Sequence, residues 1–185
     1  MSTGAIIFLA LLALVALWAI AAYNSLVRSR NKVDEAWSGI DVQLKRRHDL
    51  VPNLVETVKG YAAHERQTLQ SVTEARREAE AARGPEQAER AEAKLTSALG
   101  AVNALAEAYP ELRAAENFQR LQAELAEIED EIQASRRIYN ANVQDYNTRV
   151  QVFPTMVIAG MMSFTTRRFF EIEVAAERAV PQVAF

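Results

Sequence analysis

The 185-residue chain has no cysteine, which excludes disulfide staples, thiolate metal sites, thiol catalysis and iron–sulfur ligation. Two histidines leave little for a metal cage. Six glycines and five prolines are too few for a turn-rich β chain, and the glycines are scattered, so no run matches the dinucleotide fingerprint or the Walker phosphate loop. A surplus of positive charge is also missing. With 21 Lys plus Arg against 24 Asp plus Glu the formal charge is -3, so nothing is set up to neutralise phosphates and nucleic acid is not an expected partner. No catalytic residue and no cofactor is expected either: Ser38, Asp41 and His48 are present, but nothing around Ser38 resembles a nucleophile elbow or supplies an oxyanion hole. What is abundant is apolar and helical. Half of the residues are apolar while the mean hydropathy is only -0.12, which points to segregated apolar and polar stretches, and Ala, Glu, Arg, Leu and Gln dominate. An all-α chain is expected.

From Ala5 to Tyr23 the chain reads AIIFLALLALVALWAIAAY, 19 residues without a charge. As a helix this covers about 28 Å, close to the hydrocarbon thickness of a bilayer. Ala5, Leu12, Trp18 and Tyr23 mark its length, the two aromatic rings in its second half suiting the interface. Arg28, Arg30 and Lys32 follow, whereas Met1 to Gly4 hold no Lys or Arg, and this asymmetry puts the remainder of the chain in the cytoplasm. A cleaved signal peptide is the competing reading, since Ala19-Ile20-Ala21 fits a small-residue cleavage pattern, but a basic leading region is lacking and the apolar core is long.

After the anchor, Leu26, Val33, Trp37, Ile40, Leu44 and Val51 recur at sevens, fours and threes, a single apolar stripe on a long helix continuous with the anchor. Pro52 removes one backbone donor and exposes the carbonyl of His48, four residues earlier, as a local defect. The stripe resumes with Leu54, Val55, Val58, Tyr61, Leu69 and Val72, then fades into the charged stretch Glu74 to Arg83 before Gly84-Pro85. Whether this first helix breaks near Gly60 to His64 is open; if it does, the body runs up, down, up, down and Phe153 returns toward the membrane. A second stripe runs through Leu95, Leu99, Val102, Ala106 and Tyr109, and Pro110 begins a new turn. The third is the most regular: Phe118, Leu121, Leu125, Ile128, Ile132, Ser135, Tyr139, Val143, Tyr146 and Val150, about forty residues ended by Phe153-Pro154. Beyond it, Met156, Val157, Ile158, Ala159, Met161, Met162 and Phe164 crowd together, too short to span a bilayer, and either cover the end of the bundle or lie in the lipid interface. The expected organisation is an anchor at 1–23, an antiparallel helical bundle at 24–152, and an apolar segment with an extended tail at 153–185.

Two blocks in this order resemble the LemA family of bacterial membrane-anchored proteins. The first runs from Tyr23 to Glu65, with the core VQLKRRHDLVPNLVETVKGYA; the second from Asn117 to Pro154, with the pairs Tyr139-Asn140 and Tyr146-Asn147 one heptad apart; the tail FFEIEVAAERAVPQVAF follows. The resemblance implies one N-terminal membrane helix carrying an antiparallel helical bundle. It implies no activity, substrate or cofactor, although one relative takes part in organising bacterial organelle membranes.

Several polar groups stand out against this frame. Asp41, His48, Asp49, Asn53 and Glu56 surround the Pro52 defect; His48 with Glu56, and His64 further on, offer too few ligands for a metal, and bonding to the freed backbone or plain solvation is the expected role. Asn140 and Asn147 share a face beside the third stripe, as a polar layer fixing register or in a network with His48 and Asn53. Lys45-Arg46-Arg47 reads as a solvated face or a contact for another subunit, and Glu124, Glu127, Glu129, Asp130 and Glu131 form an acidic belt of opposite sign. Ala75, Ala79, Ala82, Ala88, Ala91 and Ala98 present small faces suited to close approach between subunits. The functional expectation is a self-associating, non-enzymatic scaffold, a homo-oligomer held to the bacterial inner membrane by residues 5–23 with the body in the cytoplasm; the alternative is an adaptor for a particular membrane protein such as a protease.

Overall fold

A computed structural model describes residues 2–171, and among these the regular structure is helical throughout, with no strand. The elements are α1 (Thr3–Tyr61), α2 (Arg66–Ala81), α3 (Gly84–Ala108), α4 (Pro110–Ala114), α5 (Glu116–Gln151) and α6 (Thr155–Met161). The tail expected after Glu171 lies outside the described residues. In α1 the apolar stretch and the first stripe are one helix of 59 residues, because no proline and only Gly4 and Gly39 interrupt the helix formers ahead of Pro52. Pro52 is accommodated within it. The helix stops at Tyr61, and a turn through Ala62, whose N–H bonds the Val58 carbonyl at 2.8 Å, leads into α2. The first long helix therefore does break where the sequence left the question open. Gly84 then takes φ +73, a left-handed conformation that a side chain disfavours, and Pro85 supplies the first turn of α3.

Packing gathers the described residues into two compact units. One joins residues 2–38 to 138–169; the other holds residues 39–137 together with 170 and 171. In the second unit the C-terminal part of α1, α2, α3, α4 and the N-terminal part of α5 enclose Val51, Leu54, Val58, Val72, Leu95, Val102, Leu112, Phe118 and Leu121. Each such side chain withdrawn from water contributes about 1.5–3 kcal/mol before entropy is counted. Lys94 on α3 pairs with Glu78 on α2, as antiparallel neighbours do, whereas Arg47 with Glu92 and Glu65 with Tyr109 keep nearly the same offset, so α1 and α3 run parallel. Ala75, Ala79, Ala88 and Ala91 are buried here. This corrects the expectation that they face another subunit: their small side chains let α2 and α3 approach within one chain. Tyr61, placed on the stripe by periodicity, is exposed, since the helix ends there.

In the first unit α1 and α5 pack antiparallel, with Leu26, Val33, Tyr139, Val143 and Tyr146 buried. Trp37 meets Tyr139 edge to face with ring centroids 5.6 Å apart. After α6 the chain turns at Ser163, itself at φ 56, and runs on without regular structure beside α5. Tyr139 Oη donates to the Arg168 carbonyl and Tyr146 Oη to the Thr165 carbonyl, both at 2.9 Å. Asn147 donates to the Arg167 carbonyl at 2.8 Å and accepts from the Arg167 N–H at 2.7 Å. The Tyr-Asn repeat thus fastens the returning segment to α5.

Candidate functional site

The most concentrated polar chemistry lies inside the second unit. Glu92 sits on α3 four residues after Ala88 and three before Leu95, on the apolar stripe itself, and is 1% exposed. Two side chains from consecutive positions of α1 meet it. His48 Nε2 stands 2.6 Å from Glu92 Oε1, and Arg47 Nη1 lies 3.3 Å from Oε2. Arg47 also donates to Thr96 Oγ1 at 2.9 Å and lies 3.5 Å from Glu129 of α5. Three helices are tied by one carboxylate and one guanidinium, the planar fork of Arg serving several acceptors at once. Among the described residues no buried side-chain nitrogen or oxygen lacks a hydrogen-bond partner, so the cluster is satisfied.

The Pro52 defect is answered from an unexpected direction. The His48 carbonyl, which Pro52 cannot serve, accepts a 2.7 Å bond from Arg76 Nε of α2, and Arg76 is held in turn by Glu80 at 2.7 Å. Asp41, Asp49, Asn53 and Glu56, expected to supply that bond or stay solvated, are exposed, and Glu56 pairs with Lys59 at 3.5 Å. Glu56 is thus turned away from the ring of His48, and no group of three His, Asp or Glu side chains able to hold a metal occurs among the described residues.

The candidate polar residues lie as follows. His48 belongs to the Glu92 cluster, Asn53 is exposed and lends its carbonyl to Thr57, Asn147 holds the Arg167 backbone, and Asn140 is half-buried. Asn147 is directed by the segment after α6, an interaction no helix period announces. Of the basic run, Lys45 and Arg46 are exposed as expected of a solvated face, but Arg47 is buried, since its position three residues after Leu44 turns it inward. The acidic belt does meet this run within the chain, where Glu129 lies 3.5 Å from Arg47. Sequence reasoning missed Glu92, Thr96 and Arg76. For Glu92 the signal was present: a carboxylate in the heptad of Ala88, Leu95 and Leu99 needs a buried cation.

Two open grooves flank these helices. One of about 410 Å³ passes over Arg47, Thr96, Gly100, Asn103, Gln122 and Glu129. The other, about 620 Å³ between α1 and α2, is lined by Glu56, Lys59, Arg66, Glu74 and Arg77 among others. Both mix charges of each sign, which selects no ligand by charge. The anchor residues Leu12, Trp18 and Tyr23 lie exposed along α1, and Ala5 half-exposed, on a stretch long and apolar enough to cross a membrane.

Comparison with known proteins fits this architecture. The chain is 27% identical over 149 residues to Protein LemA of Metamycoplasma hominis, covering 80% of this chain and 68% of that one. It is 25% identical over 189 residues to Magnetosome protein MamQ of Magnetospirillum gryphiswaldense, covering 87% and 70%, and 24% identical over 184 residues to Magnetosome protein MamQ 2 of Paramagnetospirillum magneticum, covering 85% and 68%. The LemA family model matches residues 36–185, which takes in the Glu92 cluster and the Tyr-Asn repeat, and the chain belongs to the LemA family.

Proposed function

We propose that this protein is a non-enzymatic, membrane-anchored scaffold that self-associates at the cytoplasmic face of the bacterial inner membrane. The observation that carries this reading is α1, a single helix whose first turns are apolar and outward-facing and whose later turns build the bundle core. Arg28, Arg30 and Lys32 directly after the apolar run support a cytoplasmic body. The buried cluster supports a structural rather than a chemical role, because both carboxylate oxygens of Glu92 are already engaged by Arg47 and His48. Two relatives are named magnetosome proteins, which agrees with work at a membrane-bounded structure. With the bundle alanines used inside the chain, self-association falls to the anchor, where Ala13, Ala16 and Ala19 allow helices to approach in lipid.

Light scattering in mild detergent tests this on the full chain beside a variant lacking residues 1–22. A uniform assembly for the full chain and a monomer for the variant are expected. A full-length monomer at every concentration overturns self-association, and a stoichiometric membrane protein co-purifying with that monomer puts an adaptor in its place.

A further inference from the structure

Outside the anchor, the exposed apolar surface of the first unit is concentrated around α6. Phe153 is 79% exposed and Met161 73%, with Val152, Met156, Val157 and Met162 about half exposed, while Ile158 and Ala159 are turned inward. A patch of this kind marks a contact surface. Its level along α1 is fixed by the antiparallel register within that unit. Asn142 donates to the Lys32 carbonyl at 3.4 Å and Arg149 to Ser25 Oγ at 2.9 Å, so seven residues forward on α5 match seven residues back on α1. Carried on to the end of α5, this register brings Gln151 level with Tyr23, and Phe153, two residues beyond, lies next to the uncharged run that ends there. The far side of α6 returns to the same level: the Phe164 N–H bonds the Ala159 carbonyl at 2.9 Å, and the Phe164 ring packs edge to face on Tyr23 at 5.8 Å. The Arg30 guanidinium covers that ring at 5.3 Å.

We infer that α6, with Val152 and Phe153 before it, is a second membrane contact, a short interfacial segment lying in the leaflet from which the anchor emerges. The inference rests on the reading of α1 as a membrane helix. Phe153, Met156 and Met161 enter the boundary between acyl chains and headgroups, while Arg28, Arg30 and Lys32 stand at headgroup level and favour anionic lipid. The register names lipid as the occupant, since a surface next to the uncharged run that ends at Tyr23 is met by the bilayer before any soluble partner reaches it. Unbranched methionines suit such a fluid surface.

The absence of native cysteine makes the test direct. Single variants Leu12→Cys, Met156→Cys, Met161→Cys and Glu127→Cys of the full chain are labelled with an environment-sensitive fluorophore and reconstituted in vesicles of phosphatidylcholine and phosphatidylglycerol. Brominated lipids serve as depth quenchers, with helix content checked by circular dichroism. Quenching at positions 156 and 161 by lipids brominated near the headgroups, deep quenching at 12 and none at 127 is the expected pattern. Quenching at 12 with water-exposed probes at 156 and 161 overturns the interfacial contact and leaves the anchor standing. Probes at 156 and 161 that are shielded from water yet not quenched by lipid overturn it in favour of a protein cover, and a lack of quenching at 12 overturns the anchor and the inference together.

Discussion

At the residue scale, Glu92 shows how a charge on an apolar stripe is made tolerable. Arg47 supplies opposite charge and His48 a ring nitrogen from the facing turn of α1, and removal of one member of a buried ion pair leaves the other uncompensated, at about 3–5 kcal/mol. Glu92→Ala is accordingly expected to lower the unfolding midpoint in mild detergent steeply, whereas the triple variant Arg47→Met, His48→Leu, Glu92→Leu, which removes the charges together, is expected to stay near the parent. A triple variant as unstable as the single one refutes this account. Ser163 offers a change in the other direction. It occupies the left-handed region where a side chain costs about 1–2 kcal/mol, so Ser163→Gly should raise the midpoint and Ser163→Val lower it. Apolar residues were legible at this scale because a helical period fixes which way they face: Leu26, Val33, Ile40, Leu44 and Val51 all lie buried as their spacing demanded. Polar partners were not, since a period says nothing of which residue on another helix will answer a charge.

At the element scale, α1 continues through Pro52 because a second helix repairs it. Arg76→Met leaves the His48 carbonyl without its donor and should cost about 1–3 kcal/mol. Pro52→Ala restores the missing N–H, so in the double variant most of that loss should return; additive losses in a double-mutant cycle count against the repair. The segment after α6 depends on α5 through two tyrosines. Burial raises the Tyr139 and Tyr146 hydroxyls above the ordinary 10.0, with the positive charge of Arg167 opposing the shift in both. A raised value means that the folded chain holds protons the unfolded chain releases, so their contribution is complete below pH 10 and is lost as pH climbs through the folded values. Unfolding scans above that pH should show a falling midpoint, and the slope should flatten in Tyr139→Phe with Tyr146→Phe even though both variants start lower. The helices and their ends at Pro110 and Phe153 were readable from periodicity and breakers. The turn after α6 was not, because the hydrogen bonds that hold it run from side chains to backbone far away in the chain.

At the scale of the whole molecule, the anchor and the bundle of helices followed from composition and stripe, while the division into units did not, because α1 and α5 each contribute to both. Inserting two alanines after Ser38 puts the α1 and α5 contacts of the first unit out of phase without altering residues 39–137. Proteolysis is expected to release residues 138–169 from protection early in this variant and to spare the core around Leu54 and Leu95. Equal loss in both units contradicts their independence. The same division has a consequence for synthesis. Residues 1–38 leave the ribosome first, yet their packing partners 138–169 arrive only after the intervening 99 residues, about 5–20 s later at ordinary elongation rates. Residues 39–137 have that time to condense on their own, while Leu26 and Val33 wait uncovered beside a freshly inserted anchor. The nascent chain is therefore most exposed to wrong pairing next to the membrane, and translation pauses late in the message would lengthen that vulnerable interval.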